Sequence, residues 1–344
     1  MERKLATIRQ ITNIRPIDGA DMIELATVGG WNVVVGKDVG HKVGDMVVYC
    51  EIDSFLPIKD EFEFLRKSSF KKMGDQEGFR LKTIKLRGQV SQGLILPIGV
   101  VPITQFATAN TLPEGMDVTE MLGIVKYEPP IPAELSGKVK GLFPSFIPKT
   151  DEERIQNLTK EYGEWKYQSK HQFYVTEKLD GSSATYYIKD GEFGVCSRNL
   201  ELLETEGNTF WKVARELNLE ENMKATGKNI SLQGELIGEG IQGNPYKIKG
   251  QTVRFFTGFD IDKYKRISFP ELIVMLADMG LQSVPVLNKE FGFMLPETVE
   301  DMLKYAEDKS VLNDKTEREG VVIRSMDGTI SFKAISNKFL LNEK

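Results

Sequence analysis

Phe173-Tyr174-Val175-Thr176-Glu177-Lys178-Leu179-Asp180-Gly181-Ser182 is the stretch that decides how the second half of this chain folds and what it does. Phe173 to Thr176 reads as a strand, because aromatic and β-branched side chains fit a pleated, half-buried surface. Lys178 stands at the strand's end, and the glycine turn behind it aims the lysine into a cleft. Lysine is a nucleophile once its amine loses its proton, and burial, nearby cations or a metal can bring that about. Asp180 adds a carboxylate able to orient metal-bound water or a ribose. Alone, the same stretch is also a hairpin turn with a solvated lysine, so the flanking segments must choose.

Downstream, Ala184 to Ile188 reads as a strand, and Asp190-Gly191 signals a hairpin into Phe193 to Ser197. Ser197-Arg198-Asn199 follows, and Arg198 can clamp a phosphate as a bidentate donor. Leu232-Gln233-Gly234-Glu235-Leu236 sets a carboxylate on a short apolar strand. Arg254-Phe255-Phe256-Thr257-Gly258-Phe259-Asp260-Ile261 is an aromatic strand with a ring to stack on a purine. Arg318-Glu319-Gly320-Val321-Val322-Ile323-Arg324 opens a strand with a carboxylate, and Ser331-Phe332-Lys333 leads a run that ends near Lys338. Each segment has a bland explanation: Phe259 as core, Glu319 as surface, Lys338 as a solvated helix lysine. Helices are expected over Thr209 to Leu219, from the capping box Ser268-Phe269-Pro270-Glu271 to Gly280, and over Thr298 to Ala306. Asp327-Gly328 marks a second hairpin. Without β-α-β alternation, a Rossmann sheet is not expected.

Upstream, the first ~125 residues read as short strands at close spacing, a small barrel or sandwich. Leu5 to Ile8, Ile23 to Val28, Asn32 to Val35, Met46 to Tyr49 and Leu81 to Leu86 carry the pattern. An OB-like barrel fits this length. Trp31 reads as core, while Lys85 and Arg87, two apart on one strand, share a face that can follow a nucleic-acid backbone. Pro129, Pro130, Pro132, Pro144 and Pro148 make the next stretch read as a linker.

Bulk properties exclude several classes. The 344 residues suit about two domains. No apolar run approaches the ~20 residues of a membrane helix, and Met1-Glu2-Arg3-Lys4 does not open a secretory segment. Cys50 and Cys196 are too few for a disulfide framework, which makes the reducing cytoplasm the expected location. His41 and His171 are the only histidines, which excludes a site built on several imidazoles. The net charge of −5 argues against coating nucleic acid but not against a local basic groove.

The order of the segments carries more weight than any one of them. Glu-Lys-x-Asp-Gly, Ser-Arg-Asn, Gly-Glu, Phe-Asp-Ile, Glu-Gly-Val-Val-Ile-Arg and Phe-Lys, spread over residues 177 to 333, resemble the covalent nucleotidyltransferases: DNA ligases, RNA ligases and mRNA capping enzymes. In capping enzymes and most DNA ligases an OB domain follows the catalytic domain. Here about ten residues follow Lys333, and the barrel-like module stands in front. The run Phe143-Pro144-Ser145-Phe146-Ile147-Pro148-Lys149-Thr150-Asp151-Glu152-Glu153-Arg154-Ile155-Gln156-Asn157 precedes the lysine motif. Together with Gly30-Trp31, Gly44 to Tyr49 and Leu86 to Leu94, it is similar to the Deinococcus-type RNA ligases, family 5.

That resemblance implies an α+β multidomain protein. An OB-like β-barrel would span 1–125 and a proline-rich linker 126–148. An α+β nucleotidyltransferase domain built on antiparallel sheets would span 149–344. It implies an ATP-dependent RNA ligase in which Lys178 forms a covalent lysyl-AMP, the AMP passes to a 5′-phosphate, and a 3′-hydroxyl completes the seal. Asp180, Glu235 and Glu319 would hold magnesium or manganese through water, with Glu235 alternatively on the ribose. Lys333 would contact the α-phosphate and depress the pKa of Lys178 by like-charge repulsion. Glu177, Arg198, Lys149, Arg154 and Lys338 would lie along the nucleotide. Phe259 would stack on adenine, with Phe256 the alternative, since alternation places the two on opposite faces. The expected partner is RNA with 3′-OH and 5′-phosphate ends, in a nicked duplex, bound by a monomer without a membrane. Competing expectations are a DNA ligase and a non-catalytic nucleic-acid-binding protein.

Overall fold

The structure, a computed structural model, describes residues 3–102, 112–128, 138–167, 172–288 and 292–342. His171 and the prolines at 129, 130 and 132 lie outside the described residues. The chain divides into two compact units. The first holds residues 1–131 and takes back 155–160 and 340–344; the second holds 132–154 and 161–339.

The first unit is organised by one long strand, Ala6–Pro16, far longer than the alternation at Leu5 to Ile8 announces. Its first half pairs antiparallel with Met46–Cys50 and its second half with Ile23–Val28, across an irregularity between Ile11 and Asn13. Leu94–Pro97 and Trp31–Gly36 close the two ends of this five-stranded sheet. A second sheet runs in the order Val125–Lys126, Ser54–Pro57, Gln76–Arg80, Phe70–Met73. Leu5, Ile8, Val48, Leu56, Phe62 and Phe79 meet in the core, where their apolar area leaves water. Trp31 is buried as expected, 5.7 Å from the Tyr49 ring. Its indole N–H donates to Asn157 Oδ1 at 2.6 Å. Asn157 also donates to the buried Glu51, which Arg3 reaches at 2.7 Å. The segment 155–160 is therefore stitched into this unit by polar bonds.

Lys85 and Arg87 do not share a strand face. The strand is Thr83–Leu86, hydrogen-bonded to Gln89–Gln92, and Arg87 sits in the tight turn with φ 47°. The two-residue turn at Arg87-Gly88 needs left-handed backbone at both positions, which removes Arg87 from the alternation.

The second unit contains two sheets. The larger runs Val139–Leu142, Leu200–Leu202, Glu192–Cys196, Ser182–Lys189, Ile230–Gly238, Gln251–Asp260, Lys265–Arg266. Every pairing in it is antiparallel. The smaller runs Glu153–Arg154, Ser331–Ile335, Gly320–Ser325, Phe173–Lys178, with only its first pair parallel. Helices Thr209–Glu216, Leu219–Ala225 and Phe269–Asp278 cover one face of the larger sheet, burying Trp211, Val213, Met223, Leu272 and Leu276 against Tyr186, Leu232 and Phe255. Asn218, in left-handed backbone, splits what the periodicity over Thr209 to Leu219 reads as one helix. The helix from Ser268 has its capping box, and that from Thr298 its N-cap.

The proline-rich stretch is not a linker throughout. Residues 129–137 lie outside the described ones, but Val139–Leu142 is an edge strand, and Pro148 accepts a hydrogen bond from Gln233 Nε2 at 3.1 Å.

Candidate active site

The motif 177–182 forms the corner between the two sheets. Strand Phe173–Lys178 ends the smaller sheet, and Ser182 begins the central strand of the larger. The chain turns within three residues because Gly181 passes against the neighbouring strand: a Cβ there would lie 2.4 Å from Leu236 O and 2.9 Å from Glu235 Cγ. The amide of Asp180 donates to the Tyr246 hydroxyl at 2.6 Å, and Gln242 Nε2 donates to Gly181 O at 3.3 Å. The glycine-rich segment 238–250 thus holds the corner.

Register brings the distant groups together. Lys178 pairs with Gly320, so Glu319 arrives beside it, and Lys178 Nζ donates to Glu319 Oε1 at 2.6 Å. Ser183 pairs with Glu235, which places that carboxylate one step from the corner. Thr176, Val322 and Lys333 lie opposite one another, so Lys178 and Lys333 project from the same sheet face. Glu177 projects from the other face and accepts from the Val311 amide at 2.8 Å. Burial raises its carboxyl pKa, and the structure does not bring it among the carboxylates around Lys178.

Electrostatics correct one expectation. Burial by itself presses Lys178 toward its neutral form, but Glu319, then Glu235 and Asp180, outweigh it, and the pKa stands above the usual lysine value. The carboxylates outweigh whatever repulsion Lys333 adds, and Lys333 Nζ itself donates to Asp151 Oδ1 at 3.1 Å. Glu235 pays for this crowding: desolvation, offset in part by Lys178 and reinforced by Glu319 and Asp180, pushes its pKa up to about 8.

Asp151 also accepts from Arg198 at 3.3 Å, and Lys149 Nζ donates to Asn199 Oδ1 at 2.9 Å. The Ser-Arg-Asn motif and the segment before the lysine strand therefore meet. Arg154 is buried and pairs in register with Lys333. Lys338 is not brought in; it is exposed and sits 3.5 Å from Glu307. Sequence reasoning missed Asp151, Glu152, Tyr246 and the role of Arg324. Arg324 donates to Glu152 at 2.8 Å. Burial opposes ionisation of Glu152, but Arg324 and Arg266 hold its pKa below the usual range. Asp151 and Glu152 sit in an acidic run whose charges give no hint of their partners, and segment 238–250 has no periodicity to read.

Alternation does not separate the two phenylalanines. The register between Ile230–Gly238 and Gln251–Asp260 shifts at Gln233/Gly234, so Phe256 is an extra residue. Phe255 packs in the main core, and a Cβ on Gly258 would meet Ile267 and Leu272 of that core. Phe256 and Phe259 both lie on the other side, Phe256 with Leu179, Ile237 and Tyr246, Phe259 with Ile147, Tyr187 and Cys196. The Arg324 guanidinium lies 5.6 Å from the Phe256 ring centre.

Asp180, Glu235 and Glu319 offer hard oxygen donors of the kind magnesium and manganese prefer. Among the described residues no three Asp, Glu, His or Cys side chains form a group that could hold a metal ion by themselves.

An OB-fold unit followed in the chain by two largely antiparallel sheets, with a lysine among carboxylates at their corner, is the arrangement of a nucleic-acid ligase. Residues 5–98 match the profile of an OB-fold domain, and residues 171–338 match the profile of the RNA ligase family. No curated protein sequence matches the chain. Among solved structures it is similar to the Naegleria gruberi RNA ligase with PPi, at 44% identity and TM-score 0.89, over 98% of each chain. A lysine-to-alanine variant of that ligase with ATP and Mn aligns at 43% identity and TM-score 0.90, over 99% of each chain. A glutamate-to-alanine variant with AMP and Mn aligns at 44% identity and TM-score 0.90, over 99% of each chain. The chain belongs to the RNA ligase family. Among the described residues no helix is long and apolar enough to cross a membrane.

Proposed function

We propose that the protein is an ATP-dependent RNA ligase whose nucleophile is Lys178, joining 3′-OH and 5′-phosphate ends. The observation that carries the assignment is Lys178 at the corner of two sheets, 2.6 Å from Glu319 and within the field of Glu235 and Asp180. The Naegleria ligase variants support it. Besides a lysine further upstream, their substitutions fall on a lysine, an aspartate two residues later, two glutamates and a further lysine. That is the order and residue type of Lys178, Asp180, Glu235, Glu319 and Lys333.

In this reading the Lys178 amine attacks the α-phosphate of ATP, a P–N bond forms and pyrophosphate leaves. The AMP then passes to the RNA 5′-phosphate, and attack by the 3′-hydroxyl expels AMP. Phosphoryl chemistry of this kind depends on in-line positioning and charge neutralisation more than on acid–base groups. Lys178 rests as an ammonium paired with Glu319, and becomes a nucleophile only after its proton leaves. Lys333, Arg198 and Lys149 supply positive charge for the phosphates. Phe259 is the proposed adenine platform, with Phe256 on the same side of the sheet as the alternative. A divalent cation held through water by Asp180, Glu235 and Glu319 adds further neutralisation.

The finer assignments belong to the same proposal. An OB-fold in front of the ligase segment supports the Deinococcus-type subgroup. A nicked RNA duplex is the proposed substrate and the monomer the proposed active form. Cys50 and Cys196, both buried free thiols, support a reducing, cytoplasmic location.

Incubation with magnesium and ATP labelled at the α-phosphate tests the assignment. Wild type should become covalently labelled and Lys178→Ala should not. A label that persists in Lys178→Ala, or is absent from wild type, removes the claim.

A further inference from the structure

Lys333 lies on a strand of the smaller sheet and Arg198 in a turn between two strands of the larger, yet both donate to one carboxylate. Lys333 Nζ reaches Asp151 Oδ1 at 3.1 Å, and an Arg198 Nη reaches Asp151 Oδ2 at 3.3 Å. Each oxygen of a single anion faces a different cation, which is how two such cations grip two non-bridging oxygens of a phosphate. The three groups differ in enclosure. The Lys333 side chain is 11% exposed, Asp151 38% and Arg198 55%. A cation as enclosed as Lys333 needs an anion nearby, because an uncompensated buried charge is costly.

The backbone carrying Asp151 is pinned on both sides. Glu152 is held by Arg324 and by the Ser331 hydroxyl, and Glu153–Arg154 pairs in parallel with Phe332–Lys333. On the other side, Lys149 is bonded to Asn199, next to Arg198. The half-open side chain of Asp151 can therefore leave by rotating its own torsions, with the main chain in place.

We propose that Asp151 is an internal stand-in for a nucleotide phosphate, its carboxylate filling the anion position of Lys333 and Arg198 until a phosphate of ATP displaces it. The inference rests on Lys333 and Arg198 being phosphate contacts. Asp151 then sets nucleotide affinity by competition: it keeps the enclosed ammonium compensated in the free enzyme and turns away weakly charged anions. Ion pairs open to solvent are weak, so a multiply charged phosphate can win. Removing the carboxylate should tighten ATP binding by about three- to tenfold.

Calorimetric titration of the full chain with ATP and magnesium, in a Lys178→Ala background that prevents covalent transfer, tests this. Asp151→Asn should bind ATP about three- to tenfold more tightly than its parent, and Asp151→Glu should bind like the parent. The rise in melting temperature on adding ATP should be larger for Asp151→Asn. If that variant does not fold, Asp151→Ser, whose small side chain leaves the space to solvent anions, carries the same expectation. Equal or weaker binding by the neutral variants overturns the proposal and makes Asp151 a fixed support for the two cations. A parent that binds no ATP removes the nucleotide reading of the whole site, a different failure from the first.

Discussion

At the scale of single residues, the site is a balance of charges too crowded for all to ionise freely. Glu235 shows it best, with burial and two neighbouring carboxylates pushing its pKa up to about 8. A carboxyl whose folded pKa exceeds its unfolded value binds more protons when folded. Its stabilising contribution is complete below the unfolded pKa and is lost as pH rises through the folded one. In the ligand-free protein, stability should therefore fall between pH ~4.5 and ~8 by up to about 1.4 kcal/mol per pH unit from this group. Thermal melts of wild type and Glu235→Gln across that window check it. The variant should lack this component and be the more stable at pH 8.5, and parallel pH profiles would refute the assignment to Glu235.

At the scale of elements, the corner at 179–181 and the helix caps separate site from scaffold. Gly181 has no room for a Cβ against Leu236 O and Glu235. Gly181→Ala should force the turn away from Glu235 and cost about 1–3 kcal/mol of stability, with label formation on Lys178 falling by tenfold or more. Ser268 opens its helix in a capping box, its backbone N–H donating to Glu271 Oε2 at 3.3 Å and its side chain accepting from the backbone N–H of Glu271. Ser268→Ala should cost about 1 kcal/mol and leave label formation unchanged. Melting curves beside label kinetics distinguish the two, and a Ser268→Ala variant that lost labelling would show that the helix serves the chemistry directly.

At the scale of the whole molecule, the OB-fold unit and the two-sheet unit belong to one RNA ligase. Nicked duplexes with all-RNA, mixed and all-DNA strands should be sealed with preference for the all-RNA nick over the all-DNA one. Full activity on an all-DNA nick would defeat that preference. Chelation of divalent cations should abolish sealing, and added magnesium or manganese should restore it.

Much of this was legible in the chain itself. The order of the motifs from Glu177 to Lys333 is local chemistry, and strand ends and glycine turns are written in short windows. So were Trp31 as core, the hairpins at Asp190-Gly191 and Asp327-Gly328, and the capping box at Ser268, because each depends on neighbours a few residues away. Pairing over long separations lay beyond such windows. The bulge that carries Phe256 to the side of Phe259 arises from strand register, which no single strand encodes. The proline-rich stretch hid an edge strand because its partner lies about sixty residues further on. Lys178 stands out in the sequence as the candidate nucleophile, but its ionic state is not written there. Glu319 is 141 residues away in the chain and 2.6 Å away in space. The sequence by itself determined the order and chemical type of the candidate groups from Glu177 to Lys333; tertiary structure alone decided which charges face one another, because Coulomb energy depends on distance through space and not along the chain.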